Sequence, residues 1–339
     1  MAKIPIFEKK NVLVTGGAGF IGSHLCENLL KVAKVICIDD LLSGGQLSNI
    51  EHLLKYPDFE FIKHDVAVPF DLNSWPELKK FKTQFQGVQE IYHLACPTAP
   101  LTFEQNKIKI LKANAQATLN VLDLAVLWKS KVFFSSSSVV YGKQAGGNRY
   151  IAEEELGIAD QLSPHACYDE GKRFAETAYH TFSQVYGLDA RIARVFRTYG
   201  PRLQIAAGEM IPDLILNALE GKPLIIYGDK NFTTSLCYIT DMVDGILKLM
   251  DAEQNFGPVN LGSDEEQNLA QVAGKIIELT KSTSKIVFKP PLLFMRPQPL
   301  PDIRQAKDAL GWFPVVRLEE GLSRMIEYTR ATKHLLGVK

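Results

Sequence analysis

The chain has 339 residues, enough for two domains of about 150 residues or for one large α/β unit. Its 38 basic and 38 acidic side chains cancel, so it lacks the basic field that binds a nucleic-acid backbone or an anionic membrane surface. A phosphorylated small molecule is not excluded, because a local pocket is enough to bind it. The charge balance therefore excludes polyanionic partners and leaves small-molecule chemistry open.

The apolar segments and the cysteines narrow the class further. No apolar stretch reaches the roughly 18 residues of a membrane span, and the opening residues lack the apolar core of a signal peptide. The five cysteines are scattered and show no CxxC spacing, which indicates neither a disulfide framework nor a zinc site. We expect a cytoplasmic protein with no metal, no nucleic acid and no membrane partner.

The first half of the chain alternates short apolar runs with amphipathic stretches. Strands are predicted, in chain order, at Asn11–Thr15, Val35–Asp39, Phe59–Lys63, Glu90–Ala95 and Lys131–Ser135. Helices are predicted at Ile21–Lys31 and Lys107–Trp128. Near-continuous apolar strands that alternate with helices are typical of a parallel sheet covered on both faces. The predicted fold class is α/β, with a Rossmann-type doubly wound parallel sheet.

After about Arg194 the pattern is punctuated by prolines and becomes less regular. Helices are predicted at Met210–Leu219, Thr240–Met250, Leu269–Thr280, Asp302–Leu310 and Leu318–Thr329. We predict one domain from residues 1–195 together with about 235–260. Residues 196–234 and 261–339 would form a smaller α/β domain over the carboxyl edge of the sheet, where ligands bind in open α/β folds.

A glycine-rich loop follows the first predicted strand and opens the first helix. Read as GxxGxxG, it has Gly16 for a tight turn, Gly19 where a pyrophosphate approaches the backbone, and Gly22 where the helix packs on the strand. The free N–H groups of the helix N-terminus favour a bound phosphate. The loop therefore predicts a dinucleotide site in the first domain.

Two acidic residues at strand ends extend this prediction. Asp39 ends the second strand, where a carboxylate holds both ribose hydroxyls of NAD and repels the extra phosphate of NADP. No Arg or Lys follows it closely, so NAD is the predicted cofactor. Asp65, at the end of the third strand, is placed near the adenine, although a strand-end cap would explain it equally well.

Tyr168 and Lys172 lie one helical turn apart and share a helix face. A free phenol has a pKa near about 10, too high for a base at neutral pH. A Lys ammonium one turn away, together with a nicotinamide cation, favours the phenolate. The pair predicts a base that removes a sugar hydroxyl proton.

A run of four serines, residues 135–138, ends the fifth predicted strand. A hydroxyl at such a strand end can hydrogen-bond a reacting oxygen. Alignment on the Tyr141-Gly142 pair favours Ser137 as the active hydroxyl.

These motifs together resemble the extended short-chain dehydrogenase/reductases, specifically the NAD-dependent nucleotide-sugar epimerase/dehydratase family. The closest subgroup in this resemblance is UDP-glucuronate decarboxylase. The resemblance covers nearly the whole chain and rests on GGAGFIGSHL (16–25), HLACPTAP (93–100), SSSSVVYG (135–142), ACYDEGKRFAE (166–176), TYGPR (198–202), VNLGSDEE (259–266) and PDIRQAKDALGW (301–312).

The resemblance implies a tightly held, recycled NAD and a transient oxidation at C4 of a nucleotide-diphosphate sugar. It assigns Ser137, Tyr168 and Lys172 to catalysis, with Asn114 ordering the lysine through a water. The implied cofactor contacts are Gly16, Gly19, Phe20, Ile21, Gly22, Asp39, Asp65, Leu94, Ala95, Tyr168 and Lys172. The implied substrate contacts are Ser138, Arg197, Arg202, Tyr227 and Arg296. A homodimer through a four-helix bundle is implied as well.

The sequence departs from the decarboxylase subgroup on the sugar side of the site. Val139 replaces a Glu that helps the keto-sugar lose CO2, and valine cannot relay a proton. Thr234 replaces an Arg that reaches the sugar ring or its carboxylate. One bidentate Arg–carboxylate contact is worth about 2–3 kcal/mol, so these losses disfavour decarboxylation.

Further departures lie on the nucleotide side. Arg197 replaces an Asn, Glu209 replaces the Arg of a Gly-Arg-Val/Met-Ile segment, and Pro299 replaces an Arg that holds the diphosphate. Arg197 or Arg296 is a candidate for the missing diphosphate contact, with a surface salt bridge as the alternative. The nucleotide pocket is therefore expected to be remodelled, and uridine is not assured.

Our first hypothesis is an NAD-dependent oxidoreductase acting at C4 of a nucleotide-linked sugar, as a 4-epimerase or a 4-dehydrogenase/reductase. The second is a UDP-glucuronate decarboxylase whose catalytic acid is supplied from a different position of the chain. A third is a non-catalytic NAD-binding scaffold, which the intact Ser137, Tyr168 and Lys172 set disfavours.

Overall fold

A computed structural model describes residues 9–42, 44–143, 149–290 and 299–333. Its main feature is a parallel sheet of seven strands in the order β7-β6-β5-β4-β1-β2-β3. The strands are β1 Asn11–Thr15, β2 Lys34–Asp39, β3 Phe59–Lys63, β4 Glu90–His93, β5 Lys131–Ser137, β6 Ala190–Val195 and β7 Pro258–Leu261. This order and the helices on both faces confirm the predicted Rossmann-type fold class.

The helices follow the predicted pattern closely in the second half of the chain. They are α1 Phe20–Leu29, α2 Thr83–Gln86, α3 Phe103–Lys112, α4 Thr118–Trp128, α5 Ala166–Tyr186, α6 Met210–Leu219, α7 Ile239–Asp251, α8 Leu269–Thr280, α9 Arg304–Leu310 and α10 Leu318–Thr332. In the described part of the chain, no helix combines the length and the apolarity that a bilayer crossing requires.

The single helix predicted over Lys107–Trp128 is instead two helices joined by a π-turn. The π-turn spans Ala113–Ala117, and the first of the two helices begins earlier, behind Pro100. An inserted residue in a helix leaves no mark in the apolar periodicity, so the sequence pattern does not reveal it. Such π-turns are frequent at functional sites.

Two strands of the sheet, β6 and β7, were not predicted as strands because buried polar residues interrupt their apolar runs. Arg194 of β6 makes a bidentate ion pair with Glu176 of α5, at 3.0 and 2.8 Å. Arg191 pairs with Asp189, 2.6 Å away. A buried charged residue is tolerated inside a sheet when it is paired and hydrogen-bonded. In the sequence alone, a charged residue indicates a loop or an exposed position.

The strands bury both faces, with alternating residues facing opposite sides. One face packs against α4 and α5 through residues such as Leu13, Ile36 and Phe134. The other face shares a continuous apolar cluster with α1, α7 and the later helices α6, α8 and α10. This second cluster is what holds the later part of the chain against the sheet.

Outside the main sheet, four pairs of short strands shape the later part of the chain. They are Tyr150–Ile151 with Leu300–Pro301, Thr198–Tyr199 with Cys237–Tyr238, Leu224–Tyr227 with Ile286–Lys289, and Thr233–Thr234 with Gln267–Asn268. Helix α7 packs on the main sheet, and β7 is its edge strand. The exact division into two domains stays a prediction.

Asn260 of β7 joins three separate segments and is fully buried. Its amide nitrogen donates to the carbonyl oxygens of Ile151 and Asp302, at 2.9 and 3.1 Å. Its amide oxygen accepts from the Tyr141 hydroxyl, at 2.7 Å. Asn260 therefore ties the edge of the sheet to the turn after β5.

We predict that Asn260→Ala lowers the free energy of unfolding by about 2–4 kcal/mol, because it removes three buried hydrogen bonds that join separate segments. Urea denaturation followed by circular dichroism measures this. Gln184→Ala, on the exposed side of α5, is the control and should change stability by less than about 0.5 kcal/mol. Equal stability of the two variants would contradict the structural role of Asn260.

Candidate active site

A large cavity, of about 1030 Å³, opens at the carboxyl ends of β1, β2, β4 and β5. This is the edge at which open α/β sheets bind ligands. Most of the residues chosen from the sequence line it. They are Gly16, Gly19, Phe20, Ile21, Gly22, Asp39, Asp65, Leu94, Ala95, Ser137, Ser138, Tyr168, Lys172, Arg197 and Tyr227.

The loop between β1 and α1 has room only for glycine at two of its positions. Gly16 has a φ of +72°, and a Cβ there would lie 2.7 Å from the backbone nitrogen of Ala95. A Cβ on Gly22 would overlap the carbonyl oxygen of Gly16. The absence of side chains keeps the backbone of the loop and of the helix N-terminus open to a phosphate group. This cradle fits the pyrophosphate of a dinucleotide.

Asp39 stands at the end of β2 with only 8% of its surface exposed. Its carboxylate accepts the N–H of Ala18 at 3.0 Å and the N–H of Leu41 at 2.9 Å. Burial raises the pKa of this carboxyl, and the two hydrogen bonds oppose that rise. The residue thus fixes the glycine loop and also presents a carboxylate to the cavity, as ribose binding requires.

Asp65 lines the cavity and is exposed. One carboxylate oxygen accepts the N–H of Ala67 at 2.9 Å, which is the strand-end cap considered as the alternative. The other oxygen has no partner among the described residues, so the predicted adenine contact stays a prediction.

Helix α5 carries Tyr168 and Lys172 on the face that borders the cavity. The Lys172 ammonium is buried and donates to the carbonyl oxygen of Ser135, 2.8 Å away. It also lies 5.7 Å from the centre of the Tyr168 ring. The end of β5 and one turn of α5 are thereby locked together at the place where chemistry is expected.

The pKa of Tyr168 is shifted in the direction opposite to the expected one. Burial raises the pKa of the phenol above its ordinary value, and the hydrogen bond with Ser137 lowers it only in part. The pKa of Lys172 falls for the same reason, removal from water. The protein alone therefore does not produce a phenolate at neutral pH. The positive charge of an oxidised nicotinamide, which the prediction from the sequence also required, would favour the phenolate.

Asn114 lies in the π-turn and is buried, next to α5. Its amide donates to the carbonyl oxygen of Ile110 at 2.9 Å and contacts the Cys96 sulfur at 3.3 Å. A Cβ on Gly171 would lie 2.9 Å from the Asn114 side chain, so only glycine permits this close approach. The π-turn therefore brings Asn114 against the helix turn that bears Lys172, although its ordering of the lysine stays a prediction.

Ser137 and Ser138 follow one another at the end of β5, where a short 3-10 turn, Ser138–Tyr141, begins. Ser137 is the residue that caps this turn, with its Oγ 3.4 Å from the N–H of Val139, and it hydrogen-bonds Tyr168. Val139 also lines the cavity, and it brings no acid there.

Arg197, a predicted substrate contact, lines the cavity together with Glu209, which was not predicted as a site residue. Arg197 donates from one guanidinium nitrogen to the Thr234 hydroxyl at 3.3 Å and approaches the Met210 sulfur at 3.7 Å. Glu209, just before α6, lines the cavity beside them. Burial raises the pKa of Glu209 to about 7, against the opposing charge of Arg197. The sequence identified Glu209 only as a departure from the decarboxylase pattern, because its position in the cavity depends on the fold.

Arg202 is a predicted substrate contact that does not line the cavity. Its guanidinium instead donates to Glu27 of α1 at 2.5 Å and lies near His52. This ion pair is contrary to the predicted role of Arg202. The predicted contact Arg296 lies outside the described residues.

The family model described as "NAD dependent epimerase/dehydratase family" matches residues 12–262. The chain belongs to this family. It is 38% identical over 323 residues to "UDP-glucuronic acid decarboxylase 1" of Xenopus tropicalis, covering 95% of this chain and 73% of that protein. The family, the cradle and Asp39 together make it an NAD-dependent enzyme.

Solved structures extend the similarity to epimerases. UDP-glucose 4-epimerase of Thermotoga maritima, with UDP-glucose, has a TM-score of 0.82 at 27% identity and covers 95% of this chain and 99% of its own. UDP-glucuronic acid 4-epimerase of Bacillus cereus, with UDP-glucuronic acid and NAD, has a TM-score of 0.81 at 27% identity, with coverage of 95% and 99%. The similarity therefore spans two reaction types.

We predict that Asp39→Ala weakens NAD binding by more than about ten-fold, because it removes the hydrogen bond from Ala18 of the glycine loop, the hydrogen bond from Leu41 and the carboxylate for the ribose. The NAD released from the purified protein by acid measures retention, and titration of the stripped protein measures affinity. Asp244→Ala, on the exposed side of α7, is the matched control. Unchanged NAD content in Asp39→Ala would remove this residue from the cofactor site.

Proposed function

We propose that this enzyme oxidises C4 of a nucleotide-diphosphate sugar and returns the hydride after the keto-sugar has turned, as a 4-epimerase does. The observation that carries the proposal is the junction of α5 and β5, where Tyr168, Lys172 and Ser137 meet beside the glycine cradle. Bound NAD supplies the hydride acceptor and a positive charge. The sugar nucleotides bound by the two epimerase structures support the substrate class.

In this proposal the Tyr168 phenolate takes the proton of the C4 hydroxyl and becomes the phenol, which returns the proton when the keto-sugar is reduced. Ser137, which hydrogen-bonds the phenol, orients the same hydroxyl. The Ser135 carbonyl holds the Lys172 ammonium near the Tyr168 ring. There the ammonium stabilises negative charge on the phenolate. Ser138 and Tyr227 line the remaining wall and contact the substrate, and Arg197 binds its diphosphate.

Epimerisation needs only this set, whereas decarboxylation needs a further proton donor and a cation for the sugar carboxylate. Val139, in the turn after β5, stands at the position expected for the proton donor. Thr234, in the short strand Thr233–Thr234, stands at the position expected for the cation. This is why epimerisation is preferred, although the relatives named decarboxylases are the more similar in sequence.

Decarboxylation of nucleotide-linked glucuronate is the second candidate, and Glu209 is the observation in its favour. This carboxyl lines the cavity, and its pKa of about 7 would let it act as the relocated acid at neutral pH. The two candidates predict different products from the same compound, so one incubation separates them.

We predict that Tyr168→Phe lowers kcat by about 10²–10⁴-fold with little change in KM, because it removes the base and leaves the cavity shape intact. The assay follows interconversion of UDP-glucose and UDP-galactose by the holoenzyme. Tyr56→Phe, an exposed tyrosine outside the cavity, should retain full activity. A wild-type protein inert on every sugar nucleotide would favour the scaffold hypothesis.

Incubation with UDP-glucuronate gives the companion test. Epimerisation yields the 4-epimeric uronate without gas, whereas decarboxylation releases CO2 and leaves a UDP-pentose or UDP-4-keto-pentose. Mass spectrometry of the products distinguishes them. Release of CO2 would overturn the preference for epimerisation.

We also propose a homodimer in a cytoplasmic setting. Helices α3, α4 and α5 pack against one another and still expose apolar side chains: Ile108 at 66%, Leu127 at 69%, Phe174 at 45% and Val185 at 65%. Covering this surface with the same surface of a second copy would remove it from water. The five free thiols suit a reducing compartment.

We predict that Phe174→Glu shifts the wild-type dimer to a monomer, because it places a charge in the apolar contact. Light scattering during size-exclusion chromatography measures the mass. Val315→Glu, at an exposed apolar side chain elsewhere, is the control and should leave the mass unchanged. A wild-type monomer would contradict the proposal.

A further inference from the structure

Arg197 and Glu209 face the same cavity without bonding to each other. No ion pair within 4.0 Å joins them among the described residues, although each lies in the electrostatic field of the other. Arg197 uses one nitrogen, Nη1, for Thr234 and Met210, so its Nε and Nη2 donors have no protein acceptor in the described part of the chain. Opposite charges that stay apart in a half-buried wall leave their hydrogen-bonding groups to a ligand.

The carboxylate of Glu209 also accepts no hydrogen bond from the described residues. The neighbouring Asp213 differs, because it accepts the N–H groups of Ala206 and Gly208 at 2.9 and 3.1 Å and so has a structural task in the preceding loop. A carboxylate that lines a cavity and has no donor from the protein needs donors from what it binds.

Glu209 and Tyr168 line the same cavity, and the charge of Glu209 raises the pKa of the Tyr168 phenol. Since Tyr168 meets the reacting hydroxyl in the proposed function, Glu209 is assigned here to the sugar. Arg197, which lines the same cavity, keeps the diphosphate that the proposed function gives it.

We propose that Glu209 is a specificity-determining residue that accepts hydrogen bonds from hydroxyls of an uncharged sugar and disfavours a sugar that carries a carboxylate. The inference rests on the proposed function and adds the substrate class, a nucleotide-diphosphate neutral sugar. A second carboxylate brought next to Glu209 would meet like charge in a site of restricted water, and Glu209 offers it no donor when ionised. The guanidinium of Arg197 is engaged by the diphosphate.

The charged and titratable groups that face Glu209 are Arg197 at the end of β6, Asp213 of α6 and Tyr168 of α5. With its pKa at about 7, the carboxyl is ionised at pH 8 and largely protonated at pH 6. Discrimination against a sugar carboxylate should therefore be present above neutral pH and fade as the pH falls through 7.

The test measures binding of UDP-glucose and UDP-glucuronate by calorimetry. The holoenzyme carries Tyr168→Phe, so turnover does not contribute. At pH 8 we expect UDP-glucose to bind at least about ten-fold more tightly, and Glu209→Gln to reduce that ratio to within about three-fold by tightening UDP-glucuronate. Glu77→Gln, exposed and outside the cavity, should keep the parent ratio.

A pH series in the parent protein needs no substitution at Glu209. The ratio should fall between pH 8 and pH 6 in the parent and stay flat in Glu209→Gln. Equal or tighter binding of UDP-glucuronate at pH 8, an unchanged ratio in Glu209→Gln, or no binding of either sugar nucleotide would overturn the assignment. Because these are affinities, the preference can hold even if the turnover assays above show no C4 chemistry, so the two failures are distinguishable.

Discussion

The active site depends on how helix α5 is fastened to the carboxyl end of the sheet. Glu176 of α5 accepts the Ser136 hydroxyl at 2.5 Å and both arms of the Arg194 guanidinium, so it joins β5, β6 and the helix in one buried network. One turn earlier on the same helix, Lys172 donates to the Ser135 carbonyl. These bonds fix the rotation and the height of α5, and with them the position of Tyr168. A charged pair that is satisfied on every side is costly to break, which makes the position of the base a property of the fold.

The electrostatics of the cavity follow from that placement. Burial works against both members of the Tyr–Lys pair, because it raises the pKa of the phenol and lowers that of the ammonium. In the proposed mechanism, Tyr168 is therefore unreactive as a base in the apoprotein, and a bound cationic cofactor would favour the phenolate. Chemistry is in this way coupled to occupancy of the glycine cradle, which opens onto the same cavity.

Three departures from the decarboxylase pattern are related in space. The guanidinium of Arg197 donates to the Thr234 hydroxyl, and Arg197 and Glu209 both line the cavity. Arg197 and Glu209 therefore bring opposite charges to the cavity at positions where the pattern has an Asn and an Arg.

The sequence by itself determined the parallel α/β fold, the glycine cradle, the carboxylate at the end of β2 and the Tyr168–Lys172 pair. These are local features, set by apolar periodicity, by glycine at positions where a Cβ has no room, and by spacing on one helix. Only the tertiary structure decided that β6 and β7 are strands, since their buried polar residues are paired by partners distant in sequence. It also turned Arg202 toward Glu27 and set Arg197 and Glu209 on one wall. Burial and long-range pairing depend on which segments the fold brings together, and local pattern carries no record of that.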